Sequence, residues 1–151
     1  MEYLRMQPEH TAQVAELEKQ CFSMPWSENA ISGELTNPLA LWLVAMDGDV
    51  LVGYIGSQSV MGEADVMNIA VNPEYRRQGV AERLISFLID QLDANGVSSL
   101  TLEVRASNEG AVALYNKLCF EHIGRRPNYY SKPKEDALIL RKEWHCENSC
   151  N

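Results

Sequence analysis

No run of eighteen apolar residues occurs anywhere in the chain, which excludes a membrane-spanning helix. The first residues lack the basic cluster and apolar stretch of a secretory leader, so the expected location is cytoplasmic. Positive charge is also scarce. The 13 Lys and Arg are outnumbered by 21 Asp and Glu, for a formal net charge of −8. Non-specific nucleic-acid binding needs a basic face, so no nucleic-acid partner is expected. The same charge favours a basic partner through long-range attraction, with plain solubility as the alternative reading. Cysteine is confined to Cys21, Cys119, Cys146 and Cys150 at irregular spacing, which reads as free thiols rather than a disulfide framework. His145, Cys146 and Cys150 are a weak candidate for a metal site. The stretch 145–151 reads instead as a frayed polar tail after a domain at 1–144, and no metal is expected.

The 151 residues suit one domain with a full core, and 46% of them are hydrophobic. The chain is organised around one stretch. Val66 to Val71 is apolar and β-branched apart from Asn68 and reads as a strand, which Asn72-Pro73 ends. After Gly79 the period changes: Val80, Leu84, Leu88 and Leu92 recur every four residues, with Ala81, Ile85 and Ile89 beside them. That is an amphipathic helix, stopped by Asn95-Gly96. The intervening Arg76-Arg77-Gln78-Gly79-Val80-Ala81 leads into a helix N-terminus, whose free N–H groups and partial positive charge suit a phosphate. A P-loop would need Gly-Lys followed by Ser or Thr, and a dinucleotide fingerprint needs three glycines. Neither is present, so an ordinary strand-to-helix turn stays open as the other reading.

Upstream, Tyr3 to Met6 reads as a short strand and Pro8 to Gln20 as a helix with Val14, Ala15, Leu17 and Glu18 on or near one face. An apolar loop from Cys21 to Trp26 follows, then a helix from Glu28 to Leu35 with Ser27 as its N-cap. Phe22 and Trp26 in that loop form a candidate wall for a substrate; the alternative is that they tuck under the helices. Leu41 to Met46 and Val50 to Val60 are strands joined by the hairpin signal Asp47-Gly48-Asp49, and Ala64 to Val71 continues the meander. Ser99 to Val104 lies beyond a helical crossover and should run parallel to the strand before it. Asn108 to Leu118 is a further helix. Phe120 to Gly124 and Ala137 to Leu140 are expected to close the sheet, with Arg125 to Glu135 as their connection.

Glu103 stands in a strand that is otherwise apolar or small. A carboxylate there is expected to be partly desolvated, with a raised pKa, and fits a base. The alternative is a solvent-facing group or one paired with an arginine. Tyr115 lies on the apolar stripe of its helix and reads equally as a core tyrosine. Asn108, seven residues earlier, shares its face and also fits an N-cap.

Arg76-x-x-Gly79-x-Ala81 after a strand resembles the acetyl-coenzyme-A signature of the GNAT family of N-acetyltransferases, and the element order β-α-α-β-β-β-α-β-α-β-β is that of the GNAT fold. The resemblance implies an α+β fold: a central, mostly antiparallel sheet flanked by helices, in which two parallel strands splay to admit the pantetheine arm. Those would be the strands ending at Val71 and Val104. Further matches are Pro25-Trp26-Ser27, Asn68-Ile69-Ala70-Val71, Leu102-Glu103-Val104-Arg105-Ala106-Ser107-Asn108, Ala113-Leu114-Tyr115, Arg126-Pro127-Asn128-Tyr129-Tyr130 and Glu135-Asp136-Ala137. They resemble the family's bacterial ribosomal-protein alanine N-acetyltransferases, which act on the N-terminal alanine of a small-subunit ribosomal protein. The resemblance implies Glu103 as general base and Tyr115 as general acid. It implies an acetyl-coenzyme A site formed by Ile69, Ala70, Val71, Arg77, Gln78, Gly79, Val80, Ala81, Glu82 and Asn108. Phe22, Trp26, Tyr129 and Tyr130 are expected to line the groove for a basic ribosomal-protein tail.

Two positions depart from the usual pattern. Ala81 stands where glycine is common, within the family's allowance. Cys119 stands where glycine would suit the left-handed position after a helix, at an expected cost of about 1 kcal/mol. Two other functions remain to be separated from N-terminal acetylation: a GNAT enzyme for lysine or a small amine, and a coenzyme-A-binding module without turnover. The presence of both Glu103 and Tyr115 counts against the module.

Overall fold

A computed structural model describes residues 1–131 and 133–144. The tail expected at 145–151, with its candidate metal ligands, lies outside the described residues. Seven strands form one sheet: β1 (Glu2–Arg5), β2 (Ala40–Asp47), β3 (Val50–Val60), β4 (Glu63–Val71), β5 (Ser99–Arg105), β6 (Glu121–Ser131) and β7 (Lys134–Glu143), in the spatial order β1-β2-β3-β4-β5-β7-β6. All neighbours pair antiparallel except β4 and β5, which are parallel, as the helical crossover between them requires. The helices are α1 (Thr11–Cys21), α2 (Glu28–Glu34), α3 (Val80–Ala94) and α4 (Glu109–Lys117). Among the described residues no helix is long and apolar enough to cross a membrane.

Alternation along the strands builds two cores, one on each face of the sheet. Leu43, Ile55, Leu100, Leu102 and Val104 pack with α3 through Val80, Leu84, Ile85, Leu88 and Leu92, and with Tyr115 and Phe120. Trp42, Val44, Tyr54 and Ala70 face the other way and pack with α1 and α2 through Val14, Ala15, Leu17 and Ile31. Gly56 belongs to this second face. A Cβ there would stand 2.4 Å from the Trp42 ring, which is itself stacked on Tyr54. Gly56→Ala is therefore expected to lower the unfolding free energy by about 2 kcal/mol, the usual cost of overpacking, read as a lower denaturant midpoint with unchanged slope.

Of the irregularities in the ladder, two bear on the site. β4 carries one extra residue, Met67, because Gly56 pairs with Asn68 while Ser57 pairs with Val66. β6 bulges more: Arg126 pairs with Ala137 and Tyr130 with Glu135, so Pro127, Asn128 and Tyr129 stand opposite Asp136 alone. Asp136 holds this bulge, accepting from the Asn128 N–H at 2.9 Å and from Arg125 Nε at 2.6 Å. The stretch expected to connect the last two strands is thus mostly strand. Proline is tolerated within it because β6 is an edge strand and the bulge interrupts the pairing there.

Cys21 is a free, partly buried thiol, whereas Cys119 is disulfide-bonded, contrary to the expectation of free thiols. Sequence spacing carries no sign of such a bond, because pairing depends on proximity in the fold.

Candidate active site

β4 and β5 pair only through Glu63 to Asp65 and Ser99 to Thr101. At the Met67 bulge β4 turns away, and Val66 to Val71 has no ladder partner on the β5 side. A wedge opens between the two parallel strands. Asn72 N–H bonds to the Val52 carbonyl on β3 at 2.8 Å. Strand alternation then points the N–H groups of Val71 and Ile69 the opposite way, into the wedge. Ala70 is buried on the α1/α2 face and contributes packing.

Below the wedge, the loop after β4 enters α3. Arg77 (φ 64°) and Gly79 (φ 77°) are both left-handed, and Gly79 as N-cap offers no side-chain acceptor. The first N–H groups of α3, from Val80, Ala81 and Glu82, are therefore left without a cap. This is the donor set that a pyrophosphate requires, so the residues fit that group. Val80 is 2% exposed, so only its backbone is available. The Glu82 carboxylate instead bonds Lys117 Nζ at 3.1 Å, tying α3 to α4. Arg77 and Gln78 are exposed at the loop. Asn108 caps α4, accepting from the Ala111 N–H at 3.2 Å, and its amide group stays exposed beside the site.

Glu103 alternates with Leu102 and Val104, which are buried under α3, so it faces the α1/α2 side of the sheet. It is neither dry nor alone. Its side chain is 27% exposed and pairs with Arg126 Nε at 3.2 Å. The carboxylate is partly covered, as expected of its strand, and it also has the arginine partner that was the other reading, because the β6 bulge delivers Arg126 to it. Tyr129 reaches Glu103 as well, and the hydrogen bond between them raises the Tyr129 phenol above its ordinary value. The Tyr129 and Tyr130 rings meet edge to face at 5.1 Å, and Arg105 lies 4.2 Å over the Tyr130 ring.

Tyr115 approaches from the other face. α4 ends in a Schellman turn: Phe120 N–H bonds the Tyr115 carbonyl and Cys119 N–H bonds that of Asn116, both at 3.0 Å. Cys119 takes the left-handed conformation (φ 70°) expected of a glycine. The turn folds Phe120 back onto Tyr115, ring centroids 5.4 Å apart, which fixes the tyrosine ring. Tyr115 is 4% exposed. Burial and then the neighbouring Tyr130 push its phenol up to about 12. Burial and then the Glu103 charge push Tyr130 to about 12 as well. Tyr130 thus lies within electrostatic reach of both Glu103 and Tyr115.

Phe22 and Trp26 are half-buried rather than exposed, because Trp26 sets its edge against Trp42 at 5.4 Å and both pack on the α1/α2 core. They border the same face of the sheet as Glu103. Four residues here were not assigned to the site from the sequence. Arg126 and Asp65 flank Glu103, and burial followed by the Glu103 charge raises the Asp65 pKa. Glu18 and Asn68 are joined by hydrogen bonds of 2.7 and 3.0 Å. The one signal for them was polarity out of place: a glutamate on an apolar helix face and an asparagine in an apolar strand.

The profile of the acetyltransferase (GNAT) family matches residues 11–120. The chain belongs to the GNAT family. One GNAT relative, the [ribosomal protein bS18]-alanine N-acetyltransferase of Escherichia coli (strain K12), is 38% identical over 126 residues, 82% of this chain and 84% of that protein. The putative enzyme of the same name in Bacillus subtilis (strain 168) is 39% identical over 136 residues, 89% of this chain and 90% of that one. The crystal structure of the ribosomal-protein-S18-alanine N-acetyltransferase from Escherichia coli superposes with a TM-score of 0.86 at 32% identity, covering 99% of both chains. This GNAT chain is accordingly an acyltransferase with the family's fold, and GNAT enzymes use acetyl-coenzyme A.

Proposed function

We propose that this enzyme transfers acetyl from acetyl-coenzyme A to the N-terminal alanine of a small-subunit ribosomal protein. The observation that carries the reading is the wedge between β4 and β5, with Glu103 on one face of the sheet and Tyr115 packed on the other. Kinship to relatives named for that reaction supports it.

When bound, the cosubstrate supplies an already activated acyl group as a thioester. The α3 N-terminus, with Arg77 and Gln78 beside it and the Asn108 amide near by, holds the pyrophosphate and pantetheine end. The N–H groups of Ile69 and Val71 are donors aimed into the wedge, able to polarise a carbonyl there. Glu103, through a water, takes the proton released as the amine nitrogen bonds the acyl carbon. Tyr115 gives its proton to the sulfur as the carbon–sulfur bond breaks. No acyl-cysteine is required.

The amine has an energetic preference. An α-amino group with a pKa near about 8 is roughly one-tenth neutral at neutral pH, whereas a lysine near about 10.4 is neutral well below one part in a thousand. A single carboxylate working through water is better matched to a chain terminus. The net charge of −8 suits a basic tail. Phe22, Trp26, Tyr129 and Tyr130 are the apolar surfaces available to seat its first residues.

Mass spectrometry of the purified ribosomal protein, after incubation with enzyme and acetyl-coenzyme A, tests the reading. One acetyl group on the terminal alanine is expected. Acetyl groups only on lysines, or faster turnover of a panel of free amines, would replace it. Tyr130→Ala should raise the peptide KM roughly tenfold, as removing a buried aromatic anchor does, with the coenzyme dissociation constant unmoved. Equal loss of both would remove Tyr130 from the peptide groove.

A further inference from the structure

Glu18 is fully buried, at 0% exposure, and its partners are neutral donors. Asn68 Nδ2 donates to both carboxylate oxygens, Trp26 N–H donates to Oε1 at 2.9 Å, and the Tyr54 hydroxyl donates to Oε2. Burial and then the Glu18 charge push the Tyr54 phenol well above its ordinary value. Among the described residues no basic group pairs with it; a buried carboxylate held only by neutral donors is costly, and an apolar residue of similar volume would pack α1 against β3 at least as well. Packing does not account for this residue; what it connects does.

The carboxylate joins three elements on the α1/α2 side of the sheet, one of which, β4, forms an edge of the wedge. The Trp26 N–H belongs to the loop between α1 and α2, which carries Phe22 and Trp26. Tyr54 lies on β3. Asn68 lies on β4 immediately after the Met67 bulge and next to Ile69, whose N–H enters the wedge. One buried group thus sets the distance between the wall available to the peptide and the strand available to the acetyl carbonyl.

Building on the proposed function, we infer that Glu18 is a positioning residue that holds the α1–α2 wall in register with β4, so that the peptide terminus arrives at the wedge. The residue touches neither substrate; it acts through Trp26 and Asn68.

Glu18→Met keeps the volume and removes every acceptor, while Glu18→Gln keeps one acceptor oxygen. In steady-state assays with an alanine-starting basic peptide, Glu18→Met should raise the peptide KM about tenfold or more, the worth of one or two charged hydrogen bonds. Glu18→Gln should fall between it and wild type. Calorimetry should find acetyl-coenzyme A affinity within about twofold of wild type in both, since the α3 N-terminus is untouched. Asn68→Ala should raise the peptide KM likewise. Combined with Glu18→Met it should add little, because the two act through one contact. The Asn68→Ala arm decides the matter even where the Glu18 variants fail to show a cooperative thermal transition.

A merely structural role would reduce kcat with the folded fraction and leave KM unmoved. That result, or peptide and coenzyme affinities falling together, or additive Glu18 and Asn68 effects, would overturn the inference. Wild-type enzyme assayed alongside separates the failures. No wild-type transfer to the peptide sinks the function and this inference with it, whereas normal wild-type transfer and unmoved KM in the variants sink this inference alone.

Discussion

Glu103→Gln should lower kcat by about two to three orders of magnitude, the range for loss of a general base, while acetyl-coenzyme A binds as before. The amide is nearly isosteric with the carboxylate and cannot accept the amine's proton. The fold should survive. The ion pair it breaks, to an Arg126 that is 56% exposed, is a largely solvated contact, and such pairs are worth at most about 1 kcal/mol. Steady-state kinetics with a fixed alanine-starting peptide, beside calorimetry of coenzyme binding, makes the measurement. A kcat within a few-fold of wild type would move the base elsewhere, and Asp65, beside Glu103, would be the next residue to test.

Tyr115→Phe should cost a comparable factor, about one hundred to ten thousand in kcat. Phenylalanine keeps the ring that packs on Phe120, so the Schellman turn and the core around it are retained. The substitution removes one oxygen and no packing surface. Its effect on stability should not exceed the net worth of a single hydrogen bond, about 1 kcal/mol, and the thermal midpoint should move little.

The phenol's pKa sharpens this prediction. At about 12 it is protonated at every pH below that value, so its own titration should remove no activity until pH approaches about 12. Transfer from such a phenol to an unperturbed thiolate, with a pKa near about 8.5, would be uphill by roughly 5 kcal/mol. Burial, however, raises a thiol's pKa in the same direction as a phenol's, so a sulfur lodged in the wedge beside Tyr115 is a better-matched acceptor than one in water. A descending limb of kcat between about pH 8 and 10 that persists in Tyr115→Phe would belong to another group. One that vanishes in the variant would overturn the assignment of the shifted phenol.

Much of this was readable in the residues. Val50–Val60 forms the strand expected of it, and the four-residue period from Val80 to Leu92 is buried against the sheet as α3. Asn108 caps α4 as its residue type suggests, and Cys119 adopts the left-handed turn for which a glycine would have been chosen. These are local events, governed by propensity, capping and period, and each is written in a short window. The β6 hairpin was less legible. A proline in an exposed strand argues against pairing, and only the bulge held by Asp136 reconciles the two.

Short-range chemistry along the chain thus accounts for the order and faces of the elements, the uncapped α3 N-terminus that suits a pyrophosphate, and the residue types able to move a proton. Where these groups meet was settled by the folded arrangement alone. One extra residue at Met67 parts β4 from β5, and a bulge in β6 brings Arg126, Tyr129 and Tyr130 to Glu103. A carboxylate on α1 reaches Asn68, 50 positions away. Such contacts depend on sheet register and on which face each strand turns, and both are set by the packing of distant segments rather than by any neighbour in the chain.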